Sequence, residues 1–355
     1  MQANATKRSI AVLGMGRSGT SMITAGLEPF GVHLGDSLLA PDTHENARGF
    51  YEDSLVVDIN FRLGEVLRLS EAGTSTLNPD YLSLPEIVRF KGEAIEMAQR
   101  RFANVACWGF KDPRTAAVIG FWQAVFEAIG RQDSYIIAIR NPLSVVASLG
   151  RLGEVTPTIA MLAWLQRYVY CVSHIWNRPC VVVNYDHVMA EPAAQFERIA
   201  KAIDLPWSTS TVEALQSYAN EFISGELRHS KHTSADLLAG SDAPRLVKQG
   251  WELLEKLGND DVQITDPDFR KSWRAIEDEV YGLYPLFEVV REQSQELMSM
   301  TPAKLLAKTW RRRMGVLKRA LIDRDGNATY RLKRMVKLRL GIKKIKPESR
   351  EPTRP

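Results

Sequence analysis

Ile10, Ala11, Val12 and Leu13 run directly into Gly14, Met15, Gly16, Arg17, Ser18, Gly19, Thr20 and Ser21, a glycine-rich turn that holds one cation and three hydroxyls. The apolar run has the length and branching of a buried strand, and residues 22–30 read as helix. The turn therefore lies where backbone N–H groups converge on a helix N-terminus, a natural cradle for an anion such as phosphate. A Walker A loop needs G-x-x-x-x-G-K-S/T. Residues 14–21 keep its glycine spacing but place Thr20 where the lysine belongs, which argues against an ordinary ATPase or GTPase. Gly14, Gly16 and Gly19 also spell G-x-G-x-x-G, with Asp36 near where a ribose-binding acid falls in dinucleotide-binding proteins. Against that alternative, Arg17 and Ser18 set a strong phosphate ligand inside the turn, which suits a group being transferred better than a pyrophosphate being held.

A second cassette has the same character. Residues 134–139 have a strand pattern that ends in Arg140, Asn141 and Pro142, and residues 143–149 continue as helix, with Ser148 eight residues beyond the arginine. Pro142 suits a helix start, where its missing N–H costs little. Arg140 at the strand end and Ser148 two turns into the helix can face one anion, although such an arginine also serves as a simple strand-end cap.

Together the two cassettes resemble the sulfotransferase family that uses 3′-phosphoadenosine 5′-phosphosulfate (PAPS). The turn is similar to that family's 5′-phosphosulfate loop in an arginine-bearing R-S-G-T-S form, and Arg140 with Ser148 is similar to its 3′-phosphate motif. The likeness extends to a bacterial glycan-type branch, in which residues 31–35 (GVHLG), 46–53 (NARGFYED), 108–114 (WGFKDPR) and 185–192 (YDHVMAEP) recur in this order. It covers residues 8–205, with Ala47 departing from that branch's proline and Tyr51 from its frequent tryptophan. The resemblance implies in-line transfer of a sulfuryl group from PAPS to a hydroxyl on a carbohydrate or glycan, with PAP as the product and no metal required. It further implies that Gly16, Arg17, Ser18, Gly19, Thr20 and Ser21 surround the 5′-phosphosulfate and that Arg140 and Ser148 hold the 3′-phosphate. Tyr185 would lie against the adenine, and Arg228, within residues 226–230 (ELRHS), would close over the 3′-phosphate.

Sulfuryl transfer asks a protein to align three atoms and neutralise a leaving phosphate. Arg17 takes that charge where lysine-bearing relatives use lysine, and arginine contacts several oxygens while keeping its proton. An alcohol acceptor also needs a base. Glu52 stands first, because in the resembling branch it closes an N-x-x-G-aromatic-aromatic-E signature; Glu45 and His44 are the alternatives. Lys111 can reach the sulfonate, whereas Asp112, flanked by Lys111 and Arg114, reads as an ion-paired organiser. Glu52 reads equally as an acid at a helix start, with Asp53 or Ser54 as the cap. Phe50, Tyr51 and Trp108 suit stacking on sugars and suit a core equally well. His229 and His232 lack further ligands for a metal and read as surface residues.

The elements that must position these residues alternate along the chain. Strands are expected at residues 10–13, 107–110, 135–139 and 180–183. Helices are expected at 55–69, 86–102, 116–129, 157–176, 192–203 and 211–222, with a turn near 78–85. This pattern predicts an α/β, three-layer, P-loop-like fold with a central parallel sheet flanked by helices. A catalytic domain over 1–295 would carry a helical insertion at about 54–105 that walls the substrate, and 296–355 would form a basic tail, helical or partly disordered.

The chain has 355 residues, 45% of them hydrophobic, enough for one large core. Its net charge of +4 conceals an asymmetry: residues 301–355 hold 18 Lys/Arg against 4 Asp/Glu, leaving 28 against 38 in residues 1–300. Trp310, Met314, Leu317 and Leu321, then Met335, Leu338 and Leu340, recur in the tail at roughly helical spacing. The tail thus fits an anionic membrane face, nucleic acid or the protein's own acidic surface, and also a plain solvated helix. Nucleic acid is not expected as a partner, and the sequence does not fix the oligomeric state. Cys107, Cys171 and Cys180 show no metal or redox spacing and read as buried free thiols. Lys7 and Arg8 precede an apolar run that Arg17 interrupts, and no stretch approaches a membrane span, so a cytoplasmic protein, peripheral to a membrane at most, is expected. Two other function classes fit the loop: a kinase-like P-loop phosphotransferase, which would need Mg²⁺ and ATP, and a catalytically silent nucleotide-binding protein with a membrane- or nucleic-acid-binding tail.

Overall fold

Branched and aromatic residues set the strands: β1 (Arg8–Gly14), β2 (Cys107–Lys111), β3 (Gln132–Ile139) and β4 (Cys180–Asn184). In the computed structural model, which describes residues 6–42, 48–69, 77, 80–151, 155–223, 232–240 and 242–298, these strands pair in parallel in the order β2-β1-β3-β4. Each contains the strand expected from sequence. Val12 pairs with Lys111, Gly14 with Ala138 and Ile139 with Asn184, so the four C-terminal ends share one edge of the sheet. The chain goes from β1 to β2 on one side and then to β3 on the other. Open α/β sheets bind ligands beyond the strand ends at such a reversal.

Helix α1 (Thr20–Ala25) follows the turn after β1, and α2 (Ser54–Val66) and α3 (Pro85–Phe102) fill the connection to β2. Next, α4 (Ile119–Ala128) leads to β3, and α5 (Pro142–Gly150) and α6 (Pro157–Ile175) lead to β4. Beyond β4 come α7 (Tyr185–Ala190), α8 (Pro192–Ala202), α9 (Thr209–Phe222), α10 (Ser234–Gly240), α11 (Arg245–Gly258), α12 (Pro267–Gly282) and α13 (Tyr284–Met298). Strand alternation sends Ala11, Leu13, Tyr135, Ile137 and Ile139 into one core with α2, α3, α4, α6, α11 and α12. Ile10, Val12, Ile136, Ala138 and Val183 enter a second core with α1, α8 and α9. The result is an α/β three-layer fold around a parallel sheet.

Three expectations need correction. The helix expected at 22–30 stops after Ala25 and resumes as a 3₁₀ turn at Glu28–Phe30. The Phe196 ring of α8 passes so close to Gly26 that a Cβ there would lie 2.0 Å from Cζ, a contact only glycine allows. The helix expected at 116–129 begins as α-helix only at Ile119, after a 3₁₀ turn over Pro113–Val118. Trp108, for which sequence left sugar stacking and core both open, belongs to the core, fully buried and stacked on Phe102 at 4.3 Å. Of the free cysteines, Cys171 is buried while Cys107 and Cys180 are only half-buried.

The chain divides into two compact units, residues 1–288 and 289–355. The sheet and both cores belong to the first; the described part of the second, residues 289–298, is helical. The basic tail, 301–355, lies outside the described residues. Among the described residues no helix is long and apolar enough to cross a membrane.

Candidate active site

The turn after β1 is shaped by its backbone. Arg17 has φ 68° and Gly19 φ 82°, both left-handed, a conformation that costs a non-glycine residue about 1 to 2 kcal/mol. At Gly19 a side chain would also collide with Tyr185, whose Cδ2 lies 2.4 Å from the ideal Cβ position. Strain retained at Arg17 is the kind that structures hold at functional turns. Its consequence is direction: Arg17 Nε donates to Ser148 Oγ at 3.0 Å, on α5.

Arg140, at the end of β3, completes this cluster. Its Nη1 donates to the Arg17 carbonyl oxygen at 3.1 Å, and its guanidinium lies 4.3 Å over the Tyr185 ring, just past β4. Cation and ring support each other there, worth about 0.5 to 2 kcal/mol as burial increases. Arg17, Arg140, Ser148 and Tyr185, far apart in sequence, therefore meet at the C-terminal edge of β1, β3 and β4. Two guanidinium groups in one crevice favour a polyanion. Asn141 caps α5 by accepting from Leu143 N at 2.9 Å and donates to Thr233 O at 3.0 Å, while Ser144 Oγ accepts from His232 N at 3.2 Å. His232 and Thr233 thus lie against the start of α5. Arg228 falls in 224–231, outside the described residues.

The other loop residues divide by exposure. Gly16 is half-exposed, with open space on the side where a Cβ would project, and Ser21 is half-exposed. Thr20 and Ser18 are buried, and the Ser18 amide donates to Met15 O at 3.2 Å, so Ser18 braces the turn.

A second cluster adjoins the end of β2. Lys111 Nζ donates to Glu52 Oε1 at 2.5 Å, and both side chains are buried. Burial pushes the Glu52 carboxyl above its ordinary value; Lys111 opposes that rise and Asp112 adds to it. The cap of α2 is Asp53, which accepts from Leu55 N at 3.1 Å and pairs with Arg101. Glu52 is therefore not the helix cap. Asp112 is an ion-paired organiser: its carboxylate accepts from Arg114 N at 2.9 Å, Arg114 Nε at 3.0 Å and Asn60 Nδ2 at 3.0 Å. Asn60 in turn accepts from Trp122 Nε1 at 2.8 Å. Buried Arg167, on α6, donates to Pro113 O at 2.9 Å beside this group, its basicity lowered by burial. Asn60 and Arg167 were not singled out from sequence. Asn60 left a trace, a polar residue on the apolar face of Val56, Ile59 and Leu63.

Register connects the clusters, since Lys111 pairs with Val12, two residues before the loop glycine Gly14. Glu45 and His44 lie in 43–47, outside the described residues. Asp36, the acid that the dinucleotide alternative would use for ribose, is paired with Arg101 on α3. Tyr51 packs edge-on against Phe222 at 5.6 Å, and Phe50 is half-exposed.

A family model described as "Sulfotransferase family" matches residues 9–209. No curated protein matches the chain. Among solved structures, sulfotransferase STF9 from Mycobacterium avium is 18% identical, with 62% of this chain and 69% of that chain covered and a TM-score of 0.36. The sulfotransferase domain of a Synechococcus olefin synthase is 15% identical, with 79% and 97% covered and a TM-score of 0.39. The sulfotransferase domain from the curacin biosynthetic pathway is 16% identical, with 70% and 98% covered and a TM-score of 0.38.

Proposed function

The chain belongs to the sulfotransferase family, and from that premise we propose that it transfers a sulfuryl group from PAPS to a hydroxyl of a carbohydrate or glycan acceptor. The observation that carries the choice of donor is the meeting of Arg17, Ser148, Arg140 and Tyr185 at one sheet edge. Two cations, a hydroxyl and an aromatic ring in one crevice suit a nucleotide with phosphates at both ends of its ribose. When bound, PAPS supplies a sulfuryl group whose bond to the 5′-phosphate oxygen breaks as a bond to the acceptor oxygen forms.

The protein's part is alignment and charge. Gly16, Gly19, Thr20 and Ser21 hold the 5′-phosphate by backbone N–H and hydroxyl, with Ser18 bracing them from within. Arg17 neutralises the charge that grows on the leaving phosphate. Arg140 and Ser148 hold the 3′-phosphate, with Arg228 closing over it, and Tyr185 lies against the adenine. Glu52, desolvated and therefore more basic than an exposed glutamate, takes the acceptor proton. Lys111 keeps Glu52 oriented and reaches the sulfonate. Glu45 is the alternative base. The scheme calls for no metal, because arginine and lysine carry the compensating charge. We place the enzyme in the cytoplasm, with its basic C-terminal segment in peripheral contact with anionic membrane.

Isothermal calorimetry with PAP, ATP and NAD in parallel tests the donor. PAP should bind at least a hundredfold more tightly than the other two, without Mg²⁺. Tighter binding of ATP would overturn the reading in favour of a phosphotransferase, and PAP binding without turnover on any hydroxyl acceptor would favour a silent nucleotide-binding protein.

A further inference from the structure

Where β1 and β3 part to open the crevice, the polar backbone groups they bare must find new partners. Gly14 and Ala138 are the last register pair of these strands; beyond them one chain turns into Met15 and the other runs on to Arg140. Tyr168, on α6, is fully buried and sets its hydroxyl at this fork. It donates to Ala138 O at 2.8 Å, accepts from Met15 N at 3.4 Å and lies 3.4 Å from Ser18 Oγ. A phenol has one proton to give, and the short bond to Ala138 uses it, so Ser18 is left as the donor of the remaining contact. Met15 and Ser18 are themselves joined by the 3.2 Å bond from Ser18 N to Met15 O. One oxygen thus pins the inner side of the turn to β3. One helical turn earlier, Trp164 packs on Tyr168 at 4.8 Å and donates from Nε1 to Arg140 O at 3.1 Å. The same stretch of α6 therefore grips both arginine-bearing segments.

We propose that Tyr168 is a positioning residue for the anion-binding turn: its hydroxyl fixes the backbone of residues 15–18 and thereby aims the Arg17 guanidinium. The inference rests on the function proposed above for that turn. A core tyrosine that only filled space could be phenylalanine; here removal of the oxygen strands a carbonyl, an amide and a hydroxyl in a dry site. Burial keeps the phenol protonated, since it raises its pKa well beyond the ordinary tyrosine value. A misplacement of about 1 Å at a reacting group costs on the order of a hundredfold in rate, so a brace behind Arg17 matters to turnover without touching substrate.

The test compares Tyr168→Phe with Cys171→Ser, a control of similar burial one turn along α6, both in the full chain. Without ligand, amide exchange at residues 15–18 should rise in Tyr168→Phe and stay at the wild-type rate in Cys171→Ser. PAP affinity should fall about tenfold, the equivalent of one lost buried hydrogen bond, and the KM for PAPS should rise while that for the acceptor stays. Unchanged exchange at residues 15–18 overturns the inference, as does faster exchange with unchanged PAP affinity. If the wild-type chain itself failed to bind PAP, the functional reading would fall, while the exchange result would still decide whether Tyr168 holds the turn. Should Tyr168→Phe not fold, Ser18→Ala removes the hydroxyl arm of the cluster, and unchanged exchange at residue 18 in that variant overturns the inference too.

Discussion

Glu52, the proposed base, has a buried cation as its nearest partner, and both its proton affinity and its effect on stability follow from that. Its carboxyl lies above the ordinary 4.5 because burial outweighs the opposing pull of Lys111. A carboxyl raised in the folded state binds its proton more tightly there than in the unfolded chain. Its favourable contribution to stability is therefore complete below the unfolded value and is lost as pH rises through the folded one. The same sign governs catalysis: the base works only when ionised, so the acid limb of kcat should have its midpoint above 4.5. Glu52→Gln should abolish that limb and lower kcat by about two to four powers of ten with PAP affinity unchanged, read from pH-rate profiles and calorimetry. Its melting temperature should stay near wild type, because glutamine mimics the protonated carboxyl that the folded state prefers and keeps an oxygen for Lys111 Nζ to donate to. A wild-type kcat in Glu52→Gln would move the base to Glu45. In the proposed scheme Arg17 and Arg140 act less separately than their sequence positions suggest, since Arg140 Nη1 donates to the Arg17 carbonyl. Arg17→Ala should remove turnover at least a hundredfold with a small change in melting temperature, since Arg17 is only half-buried. Arg140→Ala should raise the KM for PAPS and also lower kcat, because Arg140 supports both the Arg17 carbonyl and the Tyr185 ring. The double variant should then be less impaired than the product of the two single effects, measured as a cycle on kcat/KM.

At the scale of elements, the start of α2 shows how capping delivers chemistry. Asp53 caps the helix and pairs with Arg101, which turns its neighbour Glu52 toward β2 and Lys111. Asp53→Ala should cost about 3 to 5 kcal/mol in chemical denaturation, since it removes a cap and leaves Arg101 without its buried partner; a loss below about 1 kcal/mol would mean the pair contributes little. Strands and motifs of this fold were legible because their signals are local: four apolar runs, each ending in a residue with distinctive chemistry. What escaped was set by distant contacts. Nothing near Gly26 announces the Phe196 ring packed against it at the end of α1, and nothing in R-S-G-T-S says that Ser18 faces Tyr168 in place of solvent. Whether Glu52 serves the start of α2 or faces the site was open in sequence, because an acid suits either place; the bond from Leu55 N to Asp53 and the position of Lys111 on a neighbouring strand separate the two. The helices from α10 onward were not read, although Val247, Trp251 and Leu254, and Trp273, Ile276 and Val280, repeat at helical intervals.

Over the whole molecule, charge is partitioned along the chain. Residues 1–300 carry 28 Lys/Arg and 38 Asp/Glu, and residues 301–355 carry 18 and 4. An anionic lipid surface attracts such a basic segment by about 1 kcal/mol for each Lys or Arg near the headgroups. Trp310, Met314, Leu317 and Leu321 add an apolar series at intervals of four, three and four, which nucleic acid has no use for and a bilayer interface does. The full chain should therefore co-sediment with vesicles containing anionic lipid and not with purely zwitterionic ones. Raising the salt from about 0.1 M to about 1 M, which shortens the Debye length from about 10 Å to about 3 Å, should release it. Replacing Arg311, Arg312 and Arg313 together by Glu should have the same effect at low salt. PAP affinity should be untouched, because Arg17, Arg140, Ser148 and Tyr185 all belong to the unit of residues 1–288. If the triple substitution instead left vesicle binding intact and shifted the melting temperature, the tail's partner would be the protein's own acidic surface. Equal sedimentation with both kinds of vesicle would point to the apolar residues alone, and loss of an RNA or DNA gel shift in place of lipid binding would assign the segment to nucleic acid.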